Sequence, residues 1–315
     1  MKCKFVAVLE EKILGLEGLL IDYFRKLRNV LKKNNVQVIS EILSVPQVKE
    51  ERRQKILEVE LLAKLGHCGI IFYDCKYLTL VLSTNQTLKE LDLRGSKLGD
   101  LGVKQLCEGL KHPNCKLQKL VLGHCGITAS DSKYFASVLS TNQTLKELDL
   151  RGSKLGESGV KQLCEGLKHP NCKLPKLMLG DCGIAASGCK YFASILSTNQ
   201  TLKELDLRGS KLGDLGVKQL CEGLKHPNCK LQKLVLSYCT LTAVCCGDLS
   251  SVLSTNQTLR KLDLERNELG DSMLVGYSGV QQLCEGLKDE TCKLEILRQV
   301  TLIILVHYIT SSVLP

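Results

Sequence analysis

Cys107, His112 and Cys115 stand at a spacing that could bring two thiolates and an imidazole to one zinc ion. The same set returns as Cys164, His169 and Cys172, and again as Cys221, His226 and Cys229. A fourth copy keeps Cys284 and Cys292 but has Asp289 in place of the histidine, and no fourth ligand accompanies any set. One reading fits all four copies: a core cysteine on a helix, an exposed polar residue after it, and a core cysteine entering the next strand. Asn85, Asn142, Asn199 and Asn256 each begin the sequon NQT. All four precede a strand, where an amide side chain satisfies turn backbone, so they read as structural. Ser, His and Asp recur with the period, whereas an enzyme needs one special place. No catalytic residue, cofactor site or metal site is expected.

The period is the dominant feature. LKELDLRGSKLG begins at Leu88, Leu145 and Leu202, always 57 residues apart, and the diverged LRKLDLERNELG follows at Leu259. Similar lines begin at Leu117, Leu174 and Leu231, so the steps alternate 29 and 28. Such a period marks stacked supersecondary units. In Leu88–Lys116, Leu88, Leu91 and Leu93 alternate with polar residues as a half-buried strand. GDLGVKQLCEGLKHPN reads as a helix, with Asp100 as its N-cap. Val103, Leu106, Cys107 and Leu110 form the apolar stripe, and Pro113 stops the helix. The second half repeats this with Leu117, Leu120 and Leu122 on the strand and Tyr134, Phe135, Val138 and Leu139 on the helix.

The predicted fold is therefore α/β, a leucine-rich-repeat solenoid: a horseshoe arc with a parallel concave sheet and convex helices. Three regions follow. Residues 1–64 form a helical N-terminal region or cap, 65–298 the repeats, and 299–315 an apolar tail that could cap the last coil. Six extra residues, Ser272–Tyr277, interrupt the last turn before its helix.

Composition agrees. With 4% aromatic residues and no Trp, the core must be Leu, Val, Ile and Cys. Seventeen cysteines, an odd number recurring once per repeat, read as reduced core thiols in a cytoplasmic chain. No apolar run is long enough to span a membrane, so no membrane partner is expected. The net charge of +10 is spread through mixed acidic and basic residues without stacking aromatics, which argues against a specific nucleic-acid partner.

The pattern LxxLxLxx(C/N)xL in alternating 28- and 29-residue units resembles the ribonuclease-inhibitor-like class of leucine-rich repeat. The texts GVKQLCEGLKHPNCKL and STNQTLKELDL are similar to the C-terminal repeats of NLR proteins of the NLRP group, from about Leu65 to Leu297. That resemblance implies a protein-interaction or sensor module, in innate immune or inflammasome-type regulation. It does not bring nucleotide binding, because the chain has no G-x-x-x-x-G-K-[ST] loop. A cytosolic ribonuclease inhibitor is the alternative, and a truncated product without independent function a third reading. An inhibitor of basic ribonucleases should present an acidic, aromatic-rich face, which this basic chain lacks.

Binding is expected on the concave face, at the strand positions between the leucines. These are Glu90, Asp92 and Arg94; Glu147, Asp149 and Arg151; Glu204, Asp206 and Arg208; then Lys261, Asp263 and Glu265. Lys119, Lys176 and Lys233 lead the intervening strands, followed by the smaller Val121 and Gly123, Met178 and Gly180, and Val235 and Ser237. The copies at Leu88 and Leu202 share 35 consecutive residues, so neighbouring parts of the face are duplicates. Specificity should lie where the period breaks: at His124, Asp181, Tyr238, the Cys245 region or the ends.

Overall fold

The computed structural model describes residues 64–269 and 278–298. The inserted Ser272–Tyr277, the expected cap before Lys64 and the tail 299–315 lie outside them. The described elements alternate without exception. They run α1 (Cys75–Thr84), β1 (Glu90–Asp92), α2 (Gly99–Lys111), β2 (Lys119–Val121), α3 (Ser132–Thr141), β3 (Glu147–Asp149), α4 (Gly156–Lys168) and β4 (Lys176–Met178). They continue α5 (Cys189–Thr198), β5 (Glu204–Asp206), α6 (Gly213–Leu224), β6 (Lys233–Val235), α7 (Cys246–Thr255), β7 (Lys261–Asp263), α8 (Ser278–Lys288) and β8 (Ile296–Arg298).

The eight strands form one parallel sheet in chain order, β1 to β8. Their register is constant, with Leu91, Leu120, Leu148, Leu177, Leu205, Leu234, Leu262 and Leu297 side by side. Strand neighbours are separated by about 4.8 Å and packed helices by about 8–10 Å, so the stack bends with the sheet inside. Upstream of β1, Lys64 makes a single parallel bridge to Asp92 where a strand would otherwise stand.

The core is one continuous ladder between sheet and helices. Val103, Leu106, Cys107 and Leu110 are buried, as are Phe135, Val138 and Leu139, while Tyr134 is half-buried against them. The recurring helix glycines permit close packing: a Cβ on Gly166 would lie 2.6 Å from Ala136 Cα and 2.7 Å from its carbonyl oxygen. The described cysteines are free thiols.

Two local features differ from the sequence expectation. Asp100 is not the N-cap of α2. Leu98 holds that place, no side chain caps the helix, and Asp100 lies in the first turn, where its charge still complements the helix dipole. Its equivalent Asp214 shows the position's other use, accepting from Thr242 N at 2.9 Å and from Thr242 Oγ1 at 2.6 Å in the following repeat. The odd-numbered helices are also preceded by a 3-10 turn that the periodicity did not reveal. In Ala129–Asp131 it is held by a reciprocal capping box, with Thr128 N donating to Asp131 Oδ2 at 2.8 Å.

Candidate concave interaction face

The face is built from three rungs that cross all the strands. In the first, register places Glu90, Lys119, Glu147, Lys176, Glu204, Lys233, Lys261 and Ile296 side by side. Opposite charges alternate as far as Lys233. Lys119 Nζ lies 4.0 Å from Glu90 and 3.8 Å from Glu147, Lys176 lies 3.1 Å from Glu147, and Lys233 lies 3.8 Å from Glu204. The ladder thus neutralises itself, and such exposed pairs are worth only about 0–1 kcal/mol each.

The second rung holds Asp92, Val121, Asp149, Met178, Asp206, Val235, Asp263 and Arg298. Strand alternation assigned its aspartates to the solvent side. They belong to that face, yet Asp149 and Asp206 are only 2% and 5% exposed. The reason is the arginine two residues on. Asp149 Oδ1 accepts from the Arg151 amide and from Nε, both at 3.0 Å, and Oδ2 accepts from Nη2 at 2.6 Å. The fork caps the carboxylate and raises the Arg151 pKa through that hydrogen bond. Asp206 and Arg208 repeat the arrangement, and Asp92 with Arg94 does so at the more open end. Solvent therefore meets guanidinium planes where the sequence suggested carboxylates.

In the third rung the small residues make room for those arginines. A Cβ at Gly180 would stand 2.6 Å from Arg208 Cγ. Val121 and Val235 are buried between these charged neighbours. Glu265 replaces the arginine after Asp263, so there the Asp keeps only the backbone bond, from Glu265 N at 3.0 Å.

Other candidate chemistry resolves into packing. Cys107 and Cys115 are buried, and burial raises both thiol pKa values. His112 is exposed, and its Nδ1 accepts from Asn114 N at 3.2 Å. Among the described residues no three His, Cys, Asp or Glu side chains gather as a metal site. The sequon asparagines Asn142, Asn199 and Asn256 are buried and fully engaged in their turns. No helix of the described residues is long and apolar enough to cross a membrane.

The period-breaking positions His124, Asp181 and Tyr238 share one slot with His67, and all four adopt positive φ between 55° and 58°. All four stand exposed beside the face without joining its three rungs. Sequence reasoning missed Ile296 and Arg298. They complete the first and second rungs on β8, and aligning the strand that begins at Leu294 with its predecessors would have found them.

A family model described as leucine-rich repeat matches residues 84–107, 114–135, 141–164, 198–221 and 255–272. The NACHT, LRR and PYD domains-containing protein 3 of Homo sapiens is 49% identical over 231 residues, 73% of this chain and 22% of that protein. The Bos taurus protein 3 is 50% identical over 74% of this chain and 22% of its own length. The Homo sapiens protein 12 is 48% identical over 71% and 20%. The chain thus spans about a fifth of the curated relatives it matches. Among solved structures, the TLR13–ssRNA13 complex aligns with a TM-score of 0.41 at 19% identity, over 69% of this chain and 26% of that one.

Proposed function

The chain is a leucine-rich-repeat protein of the NLRP type, and from that premise we propose that it is a non-enzymatic protein-interaction or sensor module that engages its partner on the concave face. The observation that carries this reading is the face itself, with half-exposed Arg151 and Arg208 planes on the same face as a self-neutralised Glu–Lys rung. Guanidinium planes held in place by buried carboxylates bind partner groups at little ordering cost. The repeats serve such binding by offering a broad curved surface. Partners in innate immune regulation, suggested by the resemblance to the NLRP group, and a cytoplasmic site of action, suggested by the free core thiols, are part of the proposal.

The test is affinity capture from cells, with the full chain as bait. It is compared with a variant in which Arg94, Lys119, Glu147, Arg151 and Lys176 are replaced by Ser and retention of the fold is checked by circular dichroism. Partners enriched on the parent and lost on the variant are the expected result. An identical set on both baits, or none on either, would overturn the reading.

A further inference from the structure

The Glu–Lys alternation fails at one place. In the three earlier blocks the slot of Lys261 holds Glu90, Glu147 and Glu204. Lys261 therefore stands in register with Lys233, like charge beside like charge on adjacent strands, an arrangement that costs stability. One strand further, Arg298 occupies the slot that holds Val121, Met178 and Val235 in earlier repeats. Among the described residues no ion pair joins Lys261 or Arg298 to a carboxylate. These departures surround a small hollow of about 140 Å³, open to solvent on the concave face. Arg208, Lys233, Lys261 and Arg298 line it against one carboxylate, Asp263, and Ile296 gives it an apolar wall.

We propose that this hollow binds an acidic peptide segment of a partner protein, an Asp- or Glu-rich stretch that also carries an apolar side chain. The assignment rests on the interaction reading above and names the chemistry of its ligand. Arg208 and Lys233 already pair with Asp206 and Glu204, but Lys261 and Arg298 have no carboxylate partner among the described residues, and these two favour an anion; a carboxylate beside Lys261 would also offset the like charge of Lys233 in register with it. Size favours one or two side chains of an extended segment, since about 140 Å³ is less than a small-molecule pocket holds. A nucleic acid fits less well: it would need a cationic track for many phosphates and aromatic platforms for its bases. Here the cations are confined to one small hollow, and the lining holds no aromatic residue.

The full chain is titrated into fluorescein-labelled Glu-Asp-Leu-Glu-Asp-Leu, into its Gln/Asn counterpart, and into single-stranded oligo-dT, with anisotropy as readout. Lys261→Glu restores the residue the earlier repeats carry, so the fold tolerates it. Lys146→Glu makes the same charge change at an exposed position outside the hollow. The acidic peptide should bind at least about tenfold tighter than its neutral counterpart, an advantage that Lys261→Glu abolishes, Lys146→Glu keeps and added salt weakens. Equal binding by the parent and Lys261→Glu, an equal loss in Lys146→Glu, or preference for the oligonucleotide would overturn the assignment. The capture experiment separates the two ideas. If partners are still retained through the concave face but the acidic peptide does not bind, the hollow is wrongly assigned and the interaction reading stands.

Discussion

Asn199 Nδ2 donates to the carbonyl of Leu167 at 2.6 Å, tying the turn before β5 to the end of the helix one unit earlier. Its Oδ1 accepts from Thr201 N at 2.8 Å and Leu202 N at 2.7 Å, so one buried side chain closes the turn and joins two coils. Asn142 and Asn256 do the same at their own junctions. Replacing Asn199 by Ala leaves a buried carbonyl and two amides without partners and should cost about 2–3 kcal/mol. Asn199→Asp keeps the acceptor but sets a carboxylate against the Leu167 carbonyl, and should cost more. Urea unfolding midpoints of the three proteins check the order, and an Asn199→Ala midpoint equal to the parent's would refute it.

The alternating leucines made the strands legible, and their spacing made the concave face legible, because alternation decides which side a residue belongs to. Alternation says nothing of depth. Asp149 is on the expected face yet buried, because Arg151 folds back over it, a contact set by the turn after the strand. Asp100 was misread as a cap for a related reason: a short acidic residue near a helix start suits either the cap or the first turn. The 3-10 turns before α3 and its equivalents were invisible because three residues carry no period. Arg298 was missed because the sequence departs from the repeat there, although the constant register places it without ambiguity.

Gly166 in α4 is a case where helix propensity and packing point in opposite directions. Ala in place of an exposed helical Gly gains about 1 kcal/mol. At Gly166 the added methyl would press on the Ala136 backbone of α3, which cannot move without parting the helices. Gly166→Ala should therefore destabilise by about 1–3 kcal/mol, the usual range for overpacking. Ser158→Ala, exposed in the first turn of the same helix, should change little. Thermal midpoints of the two variants check the contrast, and a Gly166→Ala midpoint above the parent's would show that the helices are not in close contact.

Asp131 makes stability depend on pH in a direction opposite to that of a salt-bridged carboxylate. Burial, and the neighbouring Asp100 carboxyl, raise its pKa, while hydrogen bonds from Thr128 oppose the shift. A folded-state pKa above the unfolded one means a stabilising contribution that is full below the unfolded value and lost as pH rises through the folded value. At neutral pH the charged Asp131 thus opposes folding. Asn keeps an acceptor for Thr128 and carries no charge. Asp131→Asn should melt higher than the parent at neutral pH, and the gap should shrink as pH falls through the raised folded value and be closed below the unfolded value of about 4, where the aspartate is neutral in both states. A parent that melts as high as the variant at neutral pH would refute this.

The recurring slot of Cys125, Cys182 and Cys239 does more than fill space. Each thiol is buried and donates to the carbonyl of the strand one unit earlier: Cys125 to Leu93 at 3.0 Å, Cys182 to Leu150 at 3.2 Å and Cys239 to Leu207 at 3.3 Å. Asn267 fills the same slot in the last block and spans the same gap, donating to Leu236 at 2.8 Å. Burial, the leading cause, pushes Cys125 up to about 11 and Cys182 and Cys239 up to about 12. The thiolate is the reacting form, so burial leaves Cys182 almost entirely as the unreactive thiol near pH 8. Iodoacetamide followed by peptide mass mapping should label half-buried Cys292 first and these three only after guanidinium unfolding. Native labelling of Cys182 as fast as that of Cys292 would mean that its hydrogen bond to Leu150 opens readily and that this slot does not lock adjacent coils together.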